Sequence, residues 1–126
     1  MKLSLSIKEA ISINQAIQES VAAKKQFKPK VAFRLSRIAK QLNPIIEQAE
    51  QVRVQMIQEK YGEQVENNGF KVKNEKMQDY LKAYNELLGE KEEIEISQLL
   101  SVDDFEGNET YDIDFFFKLS KIIQDN

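Results

Sequence analysis

Lys24, Lys25, Lys28, Lys30, Arg34, Arg37 and Lys40 fall within a stretch that contains no acid, with Phe27 and Phe33 set between them. Cations interleaved with aromatic rings suit anion recognition. Ammonium and guanidinium groups meet phosphate or carboxylate oxygens, and a ring offers a face for stacking. On a helix, Lys30, Arg34, Arg37 and Lys40 share one flank, because residues three and four apart are neighbours. Three readings of this flank stand open. It is solvated and pairs with acids of the same chain, or it holds a protein partner, or it contacts nucleic acid. The sequence pI of about 5.1 weighs against nucleic acid.

The acids offer less chemistry. Glu90, Glu92, Glu93 and Glu95 are close enough in sequence to suggest a divalent cation, which needs several oxygens converging from fixed positions. Glu93 and Glu95 alternate with Ile94 and Ile96, however, and so belong on the solvent face of a strand. Asp103, Asp104, Asp112 and Asp114 sit at the starts of expected helices, where the helix dipole accounts for them. The spacing Asp112-x-Asp114 lacks the further ligands and the glycine of a calcium loop. With 21 acids in the chain, a glycosidase-type carboxylate pair is easy to imagine and carries no weight.

The chain has no histidine and no cysteine. That removes Ser–His triads, Cys–His dyads, thiolate zinc sites and disulfides. The four glycines, at 62, 69, 89 and 107, are isolated and form no phosphate-cradling loop. The expectation is a protein with no catalytic residues, no metal and no cofactor.

The elements that must position these residues are mostly helices. Residues 2–6 alternate polar and apolar, as a half-buried strand does. Ser6 and Glu9 have capping-box spacing, so a helix should begin there and end near Ala23. Pro29 suits the first position of the next helix. In it Leu35, Ile38, Leu42, Ile45, Ala49, Val52 and Met56 keep a strict 3-4 rhythm, an a/d seam. Pro44 should kink or split this helix, and Gly62 should end it as a left-handed cap.

Beyond it, Asn68-Gly69 signals a tight turn before a short strand at 70–73. Asn74 should cap a helix carrying Met77, Leu81, Tyr84 and Leu88 and closed by Gly89. Two a/d helices so joined pack most simply as an antiparallel hairpin, which makes the seam an intramolecular one. Glu93 to Ser97 alternates as a strand. Ser101 starts a short helix that Gly107-Asn108 breaks. Asp112 to Ile123 forms a last helix, in which Ile113, Phe116, Phe117, Leu119, Ile122 and Ile123 are too apolar to be left exposed.

At 126 residues, 41% hydrophobic and 31% charged, the chain reads as one globular domain spanning 1–126. Its net charge of −3 is divided unevenly. Residues 1–46 carry +7 and residues 47–126 carry −10, so the chain offers surfaces of opposite sign. Met1 to Ile13 has no signal-peptide pattern and no apolar run spans a membrane. The expected location is a cytoplasm, or a particle assembled there.

Several pieces match one pattern. They are residues 28–35, Lys-Pro-Lys-Val-Ala-Phe-Arg-Leu; the Glu-Lys-Tyr-Gly ending at 59–62; a turn with Lys-Val; the Glu-Leu-Leu-Gly ending at 86–89; and the acidic strand Glu-Ile-Glu-Ile at 93–96. In these the chain resembles a family of small tailed-phage and prophage proteins of similar length and unknown function. Pro44 has no counterpart in that pattern. The resemblance implies a phage origin, often beside late genes, and transfers no catalytic residue.

The resulting expectation is a mainly helical α+β domain. It has a bent antiparallel helical hairpin, two further helices and a small three-stranded sheet from residues 2–6, 70–73 and 93–97. Its expected role is non-enzymatic: binding another protein as a virion or assembly accessory component in the host cytoplasm or the virion. Inhibition of a host or anti-phage defence protein is one alternative. Nucleic-acid binding through residues 24–40 is another. An oligomer is compatible with all three.

Overall fold

The computed structural model describes residues 1–107 and 109–124. The mainly helical α+β class holds. Strand β1 (Lys2–Ser6) leads directly into helix α1 (Ile7–Ala22), and the long helix α2 spans Pro29–Met56. After a π-helical turn at Ile57–Tyr61 come strands β2 (Gly62–Gln64) and β3 (Phe70–Val72), then helix α3 (Met77–Leu88). Strand β4 (Lys91–Glu95), the two-residue strand β5 (Leu100–Ser101), helix α4 (Ile113–Lys118) and strand β6 (Ile123–Gln124) complete the order. Among the described residues no helix is long and apolar enough to cross a membrane.

The capping box at the start of α1 is formed. The Ser6 hydroxyl accepts from the Glu9 amide at 3.0 Å, and the Ser6 amide donates to the Glu9 carboxylate at 2.9 Å. The Ser101 amide likewise donates to Asp104 at 2.8 Å. Pro29 begins α2, but Pro44 does not split it, and the helix runs unbroken to Met56.

The seam faces inward. Leu35, Ile38 and Leu42 join Ala10, Ile13 and Ile17 of α1 and Leu5, Ile94 and Ile96 of the first sheet in the main core. Leu100, Phe105, Phe115, Leu119 and Ile122 close that core from the C-terminal side. The seam therefore has two covers. Its first half lies on α1, and only its second half meets α3, where Leu87 lies beside Ala49 and Val52 and Tyr80 beside Arg53. Residue numbers rise on one helix as they fall on the other, as an antiparallel hairpin requires.

The single three-stranded sheet does not form. β1 pairs antiparallel with β4, from Lys2 opposite Glu95 to Ser6 opposite Lys91. β3 pairs instead with β2, and the Val65 amide donates to the Gly69 carbonyl at 2.9 Å to close that hairpin. β3 reaches β2 through a loop of a few residues, whereas joining the β1–β4 sheet would require it to close a longer loop. The left-handed residue of the turn is Asn67, at φ 62°, rather than Gly69.

The last helix is also shorter than its apolar content suggests. It stops at Lys118, and Ile123 and Gln124 pair in parallel with Leu100 and Ser101. Within α4, Phe115 is buried and Leu119 follows it into the core, but Ile113 and Phe117 are 88% and 77% exposed. The expectation that these two are covered fails. Six helical residues cannot turn every apolar side chain toward one core. Asn108, expected to help break the preceding helix, lies outside the described residues.

Candidate functional site

The burial of Val31, Leu35, Ile38 and Leu42 fixes which way the start of α2 faces. With that stripe inward, Lys30, Phe33, Arg34 and Arg37 stand together on the outer flank at steps of three and four. They form one wall of a groove of about 530 Å³. The opposite wall is the end of β4 and the residues after it: Glu95, Ile96, Ser97 and Gln98. Ile38 and Ile96, both core residues, give the groove an apolar floor.

Phe33 is 63% exposed, and the Arg37 guanidinium lies over its ring at 5.8 Å from the centroid. A cation at that distance is attracted by the ring's negative face and steadies both side chains. Arg34 is held from across the groove. With the Gln98 amide oriented so that its oxygen faces the guanidinium, Gln98 accepts from both terminal nitrogens of Arg34 at 2.9 Å. Neutral acceptance by an amide orients the guanidinium and leaves its charge uncompensated.

The two walls are tied by Gln41, one turn beyond Arg37. Its amide nitrogen donates to the Glu95 carbonyl at 2.6 Å, and its amide oxygen accepts from the Glu95 backbone at 2.7 Å. The groove is therefore preformed on two packed elements.

The remaining basic residues go elsewhere. Lys24 takes the left-handed conformation at φ 57° and ends α1. Lys25 donates to the Thr110 carbonyl and lies 4.5 Å from the Tyr111 ring centroid. Lys28 donates to the Asp103 carbonyl at 3.3 Å. Phe27, read from the sequence as a stacking residue, is turned inward, where it stacks on Tyr111 at 5.9 Å and meets Phe105 edge-on. Burial, with Glu109 nearby, raises the Tyr111 phenol above its ordinary pKa. Lys40 is exposed and lines no part of the groove.

The seven cations thus divide. Three line the groove, two bond backbone carbonyls of the C-terminal segment, one caps a helix and one projects alone. Among the described residues, none of the seven forms an ion pair, whereas Met1, Arg53, Lys71, Lys91, Lys118 and Lys121 all do. The basic flank is not neutralised by the acidic half of its own described chain.

No three acidic side chains converge among the described residues. Glu95 reaches the groove and pairs with the Met1 nitrogen at 3.4 Å. Gln41, Gln98 and the end of β4 escaped sequence reasoning, because only long-range pairing places them opposite α2. Comparisons with protein-family models, with curated proteins and with solved structures find no match to this chain.

Proposed function

We propose that this chain is a non-catalytic binding protein that takes a protein partner in the groove between α2 and the end of β4. The observation that carries this reading is the wall formed by Lys30, Phe33, Arg34 and Arg37. It combines an exposed ring, an apolar floor and cations with no carboxylate partner among the described residues. Aromatic and arginine side chains at a preformed groove are the residue types that anchor protein interfaces. The division of the basic run favours protein over nucleic acid. A phosphate backbone is followed by a continuous track of cations, but Lys25 and Lys28 are bound to carbonyls away from the groove, and Glu95 stands on its far wall.

The resemblance to small tailed-phage proteins extends the proposal to a virion or assembly accessory component acting in the host cytoplasm. Mass spectrometry of purified particles tests it. Incorporation of the native chain, with loss on Arg34→Glu/Arg37→Glu, supports the reading. Absence of the native chain from particles rejects the virion role, and co-purification with a single host protein would move the role to inhibition. Retention on DNA or RNA that falls steeply with salt would replace the protein partner with nucleic acid.

A further inference from the structure

The described chain carries a second surface that complements the groove. Its three most exposed large apolar side chains are Ile113, Phe117 and Phe33. Phe33 belongs to the groove. Ile113 and Phe117 lie one helical turn apart on a single row of α4, outside the groove lining. Single exposed apolar residues are ordinary; two on one row of a helix present a joined apolar face. The element is rigid because Phe115 and Leu119 fix its other face in the core. Lys118 also bonds Asp114 at 3.0 Å and reaches Glu19 of α1 at 3.3 Å.

Two carboxylates flank this row, and Lys121, which follows it, is paired with Glu9. Asp112 caps α4 by accepting from the Phe115 amide at 2.9 Å, and Asp114 is 63% exposed on the neighbouring row. Lys118, the one cation within α4, is drawn under Asp114 and Glu19 and is only 17% exposed. An apolar knob rimmed by carboxylates is what a groove with an apolar floor and a cationic wall accepts.

We propose that the occupant of the groove is α4 of a second copy of this chain. Ile113 and Phe117 would lie over Phe33, Ile38 and Ile96, with Asp114 against Arg34 or Arg37. This rests on the reading of the groove as a protein-binding surface. The alternatives within one species are disfavoured by charge, since knob on knob opposes carboxylates and groove on groove opposes guanidinium groups. If each knob enters a different neighbour's groove the association runs head to tail and builds rings or open chains; if two copies exchange knobs it closes as a two-fold dimer.

Gel filtration with light scattering tests this on the whole chain across concentration and salt. The native protein should associate to dimers or larger species with concentration and revert toward monomer at high salt. Arg34→Glu/Arg37→Glu and Ile113→Ser/Phe117→Ser should each weaken self-association by about tenfold or more. Circular dichroism verifies that both variants remain helical. An equimolar mixture of the two retains one intact groove and one intact knob, so it should form a heterodimer that grows no further. A native protein that stays monomeric at every concentration overturns the proposal, as does a groove variant or a knob variant that still associates like the native chain, or a mixture that forms no heterodimer. If the native chain is monomeric while the groove variant still loses its place in particles, self-docking fails and the protein-binding reading stands. If neither measurement responds to the groove variant, both fall.

Discussion

Gln41 stands beside Glu95 as a strand neighbour would, offering one amide donor and one acceptor to the same residue's carbonyl and N–H. A side chain on α2 thereby occupies the edge of β4 at its last residue. It holds the two walls of the groove at a fixed separation, and it covers a strand edge that would otherwise invite another strand. Gln41→Leu removes both bonds and leaves the backbone groups to water. The expected loss is about 1–2 kcal/mol, read as a lower denaturant midpoint with an unchanged slope.

Lys24 ends α1 in the left-handed region at φ 57°, where its amide donates to the Val21 carbonyl at 2.9 Å and the next amide, of Lys25, to the Ser20 carbonyl at 3.0 Å. This is the geometry for which glycine is the usual residue, because a Cβ is crowded there. Lys24→Gly is expected to stabilise the fold by about 1 kcal/mol, raising the midpoint of thermal unfolding. No change, or a loss, would mean that the Lys24 side chain makes a contact worth as much as the relieved strain.

Gly62 is required for space rather than for handedness. The residue sits at φ −115°, in extended backbone. A Cβ there would lie 2.3 Å from the Ile57 carbonyl oxygen and 2.8 Å from that of Lys71. Backbone on both sides must shift to admit a methyl group, so Gly62→Ala should cost about 1–3 kcal/mol. Hydrogen exchange should show the loss first in the β2–β3 hairpin, ahead of α1.

Which parts were readable in the chain follows from how local they are. The Ser6 cap, Pro29 at the start of α2 and the 3-4 seam from Leu35 to Met56 depend on neighbours within a few residues, and all appear as read. Gly62 follows the helix as its position suggests but is not a left-handed cap, and its reason is a contact with Ile57 and Lys71 that no local pattern contains. The basic run looks like one strip in the sequence. Three of its seven cations line the groove, and Lys25 and Lys28 are drawn off by Thr110, Asp103 and the Tyr111 ring, partners about 75–85 residues away. The opposite wall could not be read, since Gln98 and Glu95 meet α2 only after β4 pairs with β1.

Glu9 makes stability depend on pH. Burial works to raise its pKa, but the amide and side chain of Ser6, together with Lys121, outweigh that and hold it below the ordinary 4.5. A carboxyl whose pKa is lower folded than unfolded stabilises the fold fully above the unfolded value, and that contribution is lost as pH falls through the folded value. Glu9→Gln should therefore lower stability near neutrality and flatten its decline below pH 4.5. Denaturation midpoints measured from about pH 6 down to about pH 3 should converge for the two proteins.

Arg37 separates a binding flank from one that serves folding. Its guanidinium touches the Phe33 ring and, among the described residues, no carboxylate. Lys118 is its internal control, a cation bonded to Asp114 and Glu19, which raise its pKa. Reversing a charge that has no partner in the fold changes stability by about 0.5 kcal/mol or less. Reversing one that bonds two acids leaves three like charges together. Arg37→Glu should therefore unfold within about 1–2 °C of the native chain, while Lys118→Glu should unfold clearly earlier. If Arg37→Glu instead unfolds as early as Lys118→Glu, the flank is part of the chain's own electrostatic balance, and the groove loses its claim as a surface kept for a partner.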